Sequence, residues 1–234
     1  MIRFYAPDIK KCCELPESDS QHCVRVLRMR EGQEIEVVDG RGGLFRCRIA
    51  LASQHHTLLE IVEESRLPKV WTPALTVAIA PTKHNDRMEW LVEKLVEIGI
   101  DRIVPLRCER SERKDIKTER LEKIAVSAMK QSLKAILPEI SPTTPYMDFL
   151  ESSADSGRYI AYCDPSIPRR LLSRELAAGA DTTILIGPEG DFSPKEISAA
   201  LDCGFIPVTL GDNRLRTETA ALVAADTFHI INQL

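Results

Sequence analysis

The hydrophobic and polar positions of this chain change period near residue 70. Residues 34–38 (Glu-Ile-Glu-Val-Val) and 44–49 (Leu-Phe-Arg-Cys-Arg-Ile) alternate as half-buried strands do, and the turn cluster Asp39-Gly40-Arg41-Gly42-Gly43 lies between them. The two runs predict a hairpin with a glycine-rich loop. Residues 58–62 predict a third strand, and one short helix is expected around 21–29. Together these elements suggest a small β-barrel. Residues 67–73 carry Pro68 and Pro73, which stop both helix and ladder, and read as a linker.

Beyond residue 74 the pattern becomes strand, helix, strand, helix. Strands are expected at 75–80, 102–106, 159–163, 183–186 and 206–210. Helices are expected from a capping box at Asp86-Arg87-Met88-Glu89, over 119–135, 170–178 and 193–201, and from 217 to the C-terminus. Met88, Leu91, Val92, Leu95 and Val96 form one apolar helical face, which Gly99 ends. Such alternation means an α/β domain with a mostly parallel sheet and helices on both faces. The expected organisation is therefore 1–69 as a barrel domain, 70–73 as linker and 74–234 as an α/β domain. Residues 220–231 are apolar around most of the last helix, which fits a deep core or a second subunit.

Composition narrows the class. The chain has 234 residues, 44% hydrophobic and 28% charged, with a formal net charge of -4. Any nucleic acid would have to be bound by a local basic patch rather than a global field. No run is long and apolar enough to span a bilayer, and the first residues do not read as a signal peptide. The seven scattered cysteines form no CxxC pair and read as reduced thiols, so a cytoplasmic protein is expected. No histidine spacing points to a metal.

Two glycine loops stand at predicted strand ends. Gly187-Pro188-Glu189-Gly190 follows the apolar run 184–186 and leads into Ser193-Pro194-Lys195-Glu196, a helix start with a cap, a first-turn proline and a glutamate three positions on. Gly211 follows 208–210. Strand ends of a parallel sheet are where α/β proteins bind ligands. Both GxGxxG and GxxxxGK[ST] are absent, so neither a dinucleotide fold nor a P-loop is indicated. On spacing alone, two ordinary tight turns remain an equal reading. Arg214, Arg216 and Glu218 crowd the segment after Gly211; if that corner is buried, the charges need partners.

"LIGPEGDFS" followed by "LGDNRLRTETA" resembles the bacterial 16S rRNA uridine-N3 methyltransferase family (RsmE), of the SPOUT superfamily. "HCVRVLRMREGQEIEVVDGRGG" resembles that family's PUA-like RNA-binding barrel, and "KHNDRMEWLVEKLVEIGIDRIVPL" with "CERS" the opening of its catalytic domain. The resemblance covers essentially the whole chain. It implies an α/β fold whose mostly parallel sheet ends in a C-terminal trefoil knot, behind the PUA-like β-barrel, and a homodimer. It also implies S-adenosyl-L-methionine as cofactor and 16S rRNA or the small ribosomal subunit as partner. The cofactor pocket would be walled by Ile186, Gly187, Pro188, Glu189 and Gly190, then Leu210, Gly211, Leu215 and Arg216. A related SPOUT enzyme acting on tRNA or another rRNA position, and a non-catalytic RNA-binding protein, are the competing readings. The sequence departs from the family at Asp191, where a glycine is usual, at Asn213 and Arg214, and at Gln131-Ser132-Leu133-Lys134, where the family has a QSGR-like segment.

Methylation of a uracil N3 requires loss of the imide proton, so a positive partner for the anion is needed. Arg216 is the first candidate and Arg110 the second. Glu218 can orient Arg216, act as base, or simply favour the helix N-terminus. Arg25, Arg28, Arg30 and Arg41 are candidate RNA contacts, against the reading of ordinary surface charge.

Overall fold

The computed structural model describes residues 2–164 and 168–233. Contacts divide the chain into two compact units, Met1–Val70 with Val126–Leu137, and Trp71–Ala125 with Pro138–Leu234.

The first unit contains β1 (Arg3–Tyr5), α1 (Ile9–Cys12), β2 (Glu14–Leu15), α2 (Glu17–Gln21), β3 (Glu34–Val38), β4 (Gly43–Leu51) and β5 (Thr57–Arg66). They form a barrel-like five-stranded sheet in the order β1-β3-β4-β5-β2. The expected hairpin is present, with Glu34 opposite Arg48 and Val38 opposite Leu44. The alternating residues Ile35, Val37, Phe45, Cys47 and Ile49 fill the core with Phe4, Ile9 and Leu15. The outward face is a charge ladder, in which Arg46 pairs with Glu34 and Glu63, and Arg48 with Glu34 and Glu60.

The helix expected at 21–29 is displaced. It is α2 followed by a π-turn over His22–Val26, in which Leu27 N donates to His22 O at 3.0 Å. Arg28 then takes a left-handed backbone, φ +55°, and ends the helix.

The second unit begins with β6 (Leu75–Ile79), α3 (Asn85–Ile98), β7 (Arg102–Arg107) and α4 (Thr118–Gln131), whose last residues group with the first unit. It continues with β8 (Glu139–Ile140), β9 (Thr144–Pro145), α5 (Tyr146–Ser152), β10 (Gly157–Ala161) and β11 (Arg170–Leu171). It closes with α6 (Leu172–Glu175), β12 (Thr182–Ile186), α7 (Pro194–Asp202), β13 (Ile206–Thr209) and α8 (Thr217–Gln233). The sheet runs β11-β13-β10-β12-β6-β7-β8 and every pairing in it is parallel. Buried Ala78, Val104, Ile160 and Leu185 pack with Phe149, Ile197 and Phe205 beneath one face. The predicted face of α3 is buried throughout, and Gly99 caps the helix at φ +126°.

Several expected elements are altered, each for a local reason. Helix α4 ends at Gln131 rather than 135, because Leu133 turns left-handed at φ +55° and the next residues pair elsewhere. Gly42 N donates to Ala135 O and Leu137 N to Gly40 O, both at 2.9 Å, so the chain joins the glycine turn of the first unit. No capping box forms at 86–89. The N-cap is His84, and Glu89 pairs instead with Arg120. The helix expected over 170–178 shrinks to Leu172–Glu175, since Arg170 and Leu171 pair with Val208 and Thr209. Tyr159 holds the following backbone, donating to Glu175 O at 2.9 Å. Strand β10 ends at Ala161, not 163. The end of α8 at Leu234 lies outside the described residues. Ala221, Ala224, Ala225 and Phe228 bury one face of α8, which packs against α3 and β6, while Ile230 is half exposed.

Candidate active site

Adjacent parallel strands bring their C-terminal ends together, and the loops leaving β10, β12 and β13 meet there. β12 lies beside β10, with Ile186 opposite Ala161, and β10 lies beside β13, with Ala161 opposite Val208. The three loops enclose a cavity of about 1150 Å³ within the second unit. That is ample for a nucleoside-sized ligand.

Ser193 fixes the entry of α7. Its hydroxyl accepts from Glu196 N, and the Glu196 carboxylate accepts from Ser193 N at 2.8 Å, completing the predicted capping box. The other Glu196 oxygen accepts from Glu109 N at 2.8 Å, which ties the 107–113 segment to the base of the loop. Arg110 extends over the same loop and donates to Gly190 O and Phe192 O at 3.2 and 3.3 Å. Glu189 accepts from Lys83 N at 3.1 Å, so its carboxylate braces the loop.

Ile186, Gly187, Pro188, Glu189, Gly190, Leu210, Gly211, Leu215 and Arg216 all line the cavity, as does Glu218; Arg110 is not among the lining residues. Gly211 has φ +126°, a conformation that side-chain-bearing residues rarely adopt, and a Cβ there would point into open space. Gly187 instead abuts Phe192, whose ring a Cβ would meet at 3.1 Å. Arg216 is exposed, and its side chain makes no hydrogen bond or ion pair among the described residues, while its carbonyl accepts from Ala220 N at 2.8 Å. Glu218 is buried, and its partner is not Arg216 but Arg87 of α3, at 3.7 Å. The second carboxylate oxygen, Oε2, is buried with no hydrogen-bond partner among the described residues. Tyr162 also lines the cavity; burial raises its pKa, and Arg169 lies over its ring, 5.5 Å from the centroid.

Sequence reasoning missed Arg87 and Tyr162, and marked Asp191 only as a departure from the family's glycine. Arg87 sits in a quoted segment, but only the fold shows that α3 starts beside α8. In the first unit, Arg25, Arg28 and Arg30 are exposed with no ion pair among the described residues. Arg41 differs, since it faces Asp39 at 3.8 Å and donates to Pro7 O.

The cavity fits S-adenosylmethionine by its chemistry. Leu210 and Leu215 offer apolar walls, Gly211 puts no side chain in the way, and Glu218 Oε2 is a buried acceptor with no partner among the described residues.

A family model for an RNA methyltransferase domain matches residues 71–229, and one for an RNA methyltransferase PUA domain matches 15–62. Ribosomal RNA small subunit methyltransferase E of Synechocystis is 32% identical over 92% of this chain and 72% of its own length. This chain belongs to the ribosomal RNA small subunit methyltransferase E family. A probable rRNA methyltransferase from Porphyromonas gingivalis matches with a TM-score of 0.95 and 46% identity, over 100% of this chain and 99% of that one. The methyltransferase E of Neisseria gonorrhoeae, solved bound to S-adenosyl methionine, matches with a TM-score of 0.87 and 28% identity, over 99% and 98%. The family's fold is the one the sequence motifs implied, a SPOUT α/β domain behind a PUA-like barrel.

Proposed function

We propose that this protein transfers the methyl group of S-adenosylmethionine to N3 of a uridine in 16S rRNA, in the cytoplasm and as a homodimer. The observation that carries this reading is the cavity bordered by both glycine loops, lined by Arg216, whose side chain has no ion pair among the described residues. Bound there, the cofactor supplies a methyl group activated by a sulfonium.

The chain's own residues do the rest. Gly211, where a Cβ would stand in open space, gives clearance, while Gly187 and Gly190 make room for Phe192 and Arg110; Leu210 and Leu215 would offer the adenine apolar walls. Arg216, whose side chain has no partner among the described residues, favours the imide anion of the incoming uracil. Glu218 lines the same cavity beside Arg87, with Oε2 buried and unmatched among the described residues, and would take a proton or a hydrogen bond only from a substrate that reaches that oxygen. Arg110 acts at one remove, by fixing the loop carbonyls. In the first unit, Arg25, Arg28 and Arg30, with no ion pair among the described residues, are candidates for RNA phosphates, and Arg41 is a weaker one because it is already engaged. The outward ladder of Arg46 and Arg48 is neutralised by its own carboxylates.

The test is incubation with methyl-labelled S-adenosylmethionine and small ribosomal subunits from a strain lacking this protein, followed by mapping of the label. One N3-methyluridine in 16S rRNA is expected. Label found only in tRNA, at another rRNA position, or nowhere would overturn the proposal.

A further inference from the structure

We infer that Asp191 is a positioning residue whose carboxylate latches the loop leaving β10 to the loop leaving β12, and so sets the shape of the cofactor cavity. This inference rests on the proposed reading of that cavity as the cofactor site.

Asp191 sits at φ +63°, in the left-handed region, which aspartate tolerates better than most residues. Its N–H donates to Pro188 O at 2.9 Å, closing the turn over Gly190. In this conformation the two carboxylate oxygens serve different elements. Oδ1 accepts from Phe192 N at 2.8 Å, within its own loop. Oδ2 accepts from Cys163 N at 2.8 Å, on the segment that leaves β10. That N–H is two residues beyond the last ladder position of β10, so the sheet does not satisfy it. Tyr162, Cys163 and Asp191 all line the cavity, so the bond spans two of its walls.

The latch is braced from behind. Arg110 donates to the carbonyls of Gly190 and Phe192, the residues on either side of Asp191. The loop is therefore held at its outer surface by a guanidinium and joined across the cavity by a carboxylate. A hydrogen bond to a charged acceptor contributes more than a neutral one. With the latch closed, the ligand does not have to order these loops itself, and pre-organisation of this kind raises affinity.

Asp191→Gly separates the carboxylate from the backbone, because glycine accepts φ +63° without strain. Asp191→Asn keeps one acceptor oxygen and serves as the milder variant. Two readouts are needed. The first is hydrogen exchange at the Cys163 amide with no cofactor present, expected to be at least tenfold faster in Asp191→Gly. The second is calorimetric affinity for S-adenosylmethionine, expected to fall about tenfold or more in Asp191→Gly and less in Asp191→Asn. The single-turnover rate at saturating cofactor should stay within about threefold of the native protein. If native protein binds no S-adenosylmethionine, the reading of the cavity fails, while the exchange result still judges the latch. Unchanged exchange and unchanged affinity in Asp191→Gly would overturn the inference. So would a fall in melting temperature in both variants with affinity intact, since that is what a purely structural residue would give.

Discussion

Arg216 and Leu133 show what single positions contribute. Arg216 lines the cavity, its side chain without a partner among the described residues, where a preorganised cation lowers the cost of charge developing on the substrate. Arg216→Ala should slow single-turnover methylation by roughly 10²-fold, the usual scale for losing one such donor, with much less change in cofactor affinity. Arg28→Ala provides the contrast. It should weaken RNA binding and lower the salt slope by about 0.7 to 0.9, while the rate at saturating RNA holds. If Arg216→Ala loses RNA affinity but not rate, the assignment is wrong. Leu133 and Asp191 share a different feature. Both stand where the motif usually has glycine, and both have positive φ, +55° and +63°. Asp191 uses that conformation to reach Cys163 with its side chain, whereas the Leu133 side chain is 49% exposed and only its backbone carbonyl is engaged at long range, accepting from Arg3, a bond that glycine would keep. Leu133→Gly should therefore stabilise the first unit by up to about 1 kcal/mol, since left-handed strain costs a non-glycine residue about 1–2 kcal/mol and glycine's added entropy cost is smaller. A lower urea midpoint for this variant would contradict that account.

Among the elements, those with strong local signals matched the expectation. The hairpin of β3 and β4 and the buried face of α3 follow directly from period. So does α7, whose capping box at Ser193 and Glu196 forms with both bonds. Ser193→Ala should destabilise the second unit by about 1 kcal/mol or slightly more, and Ser193→Thr should recover most of it. An unchanged unfolding midpoint in Ser193→Ala would show that the cap contributes nothing. Local patterns failed where a distant partner decided the outcome. Glu89 has capping-box spacing from Asp86, but Arg120 claims it. Residues 132–135 continue the helical period of α4, but the turn at Gly40 and Gly42 draws 135–137 away. The site was legible in the same uneven way. Its glycines and Arg216 were visible as motifs, and Asp191 as a departure from one, whereas the contacts of Arg87 and Asp191 became visible only through a 3.7 Å ion pair and a 2.8 Å bond between loops.

At the scale of the whole molecule, α3 and α8 pack together and leave Trp90 and Ile230 about half exposed, at 42% and 51%. Large apolar side chains on two neighbouring helices favour the proposed homodimer. Light scattering at micromolar concentration should give twice the chain mass of 26.2 kDa, and monomer alone would count against it. The cavity itself belongs to the second unit, and its account stands on one claim, that the loops at 187–191 and 210–216 hold the methyl donor. Gly187→Val would collide with the buried Phe192 ring, and any side chain at Gly211 would be strained, so both changes confound folding with binding. Leu215, a half-buried wall residue, gives a cleaner probe. The decisive measurement is calorimetric titration of S-adenosylmethionine into the native protein and into Leu215→Asp, with unfolding midpoints recorded for both. The account predicts one site per native chain and at least a tenfold weaker affinity in Leu215→Asp at an unchanged midpoint. Equal affinity in the two proteins would contradict it.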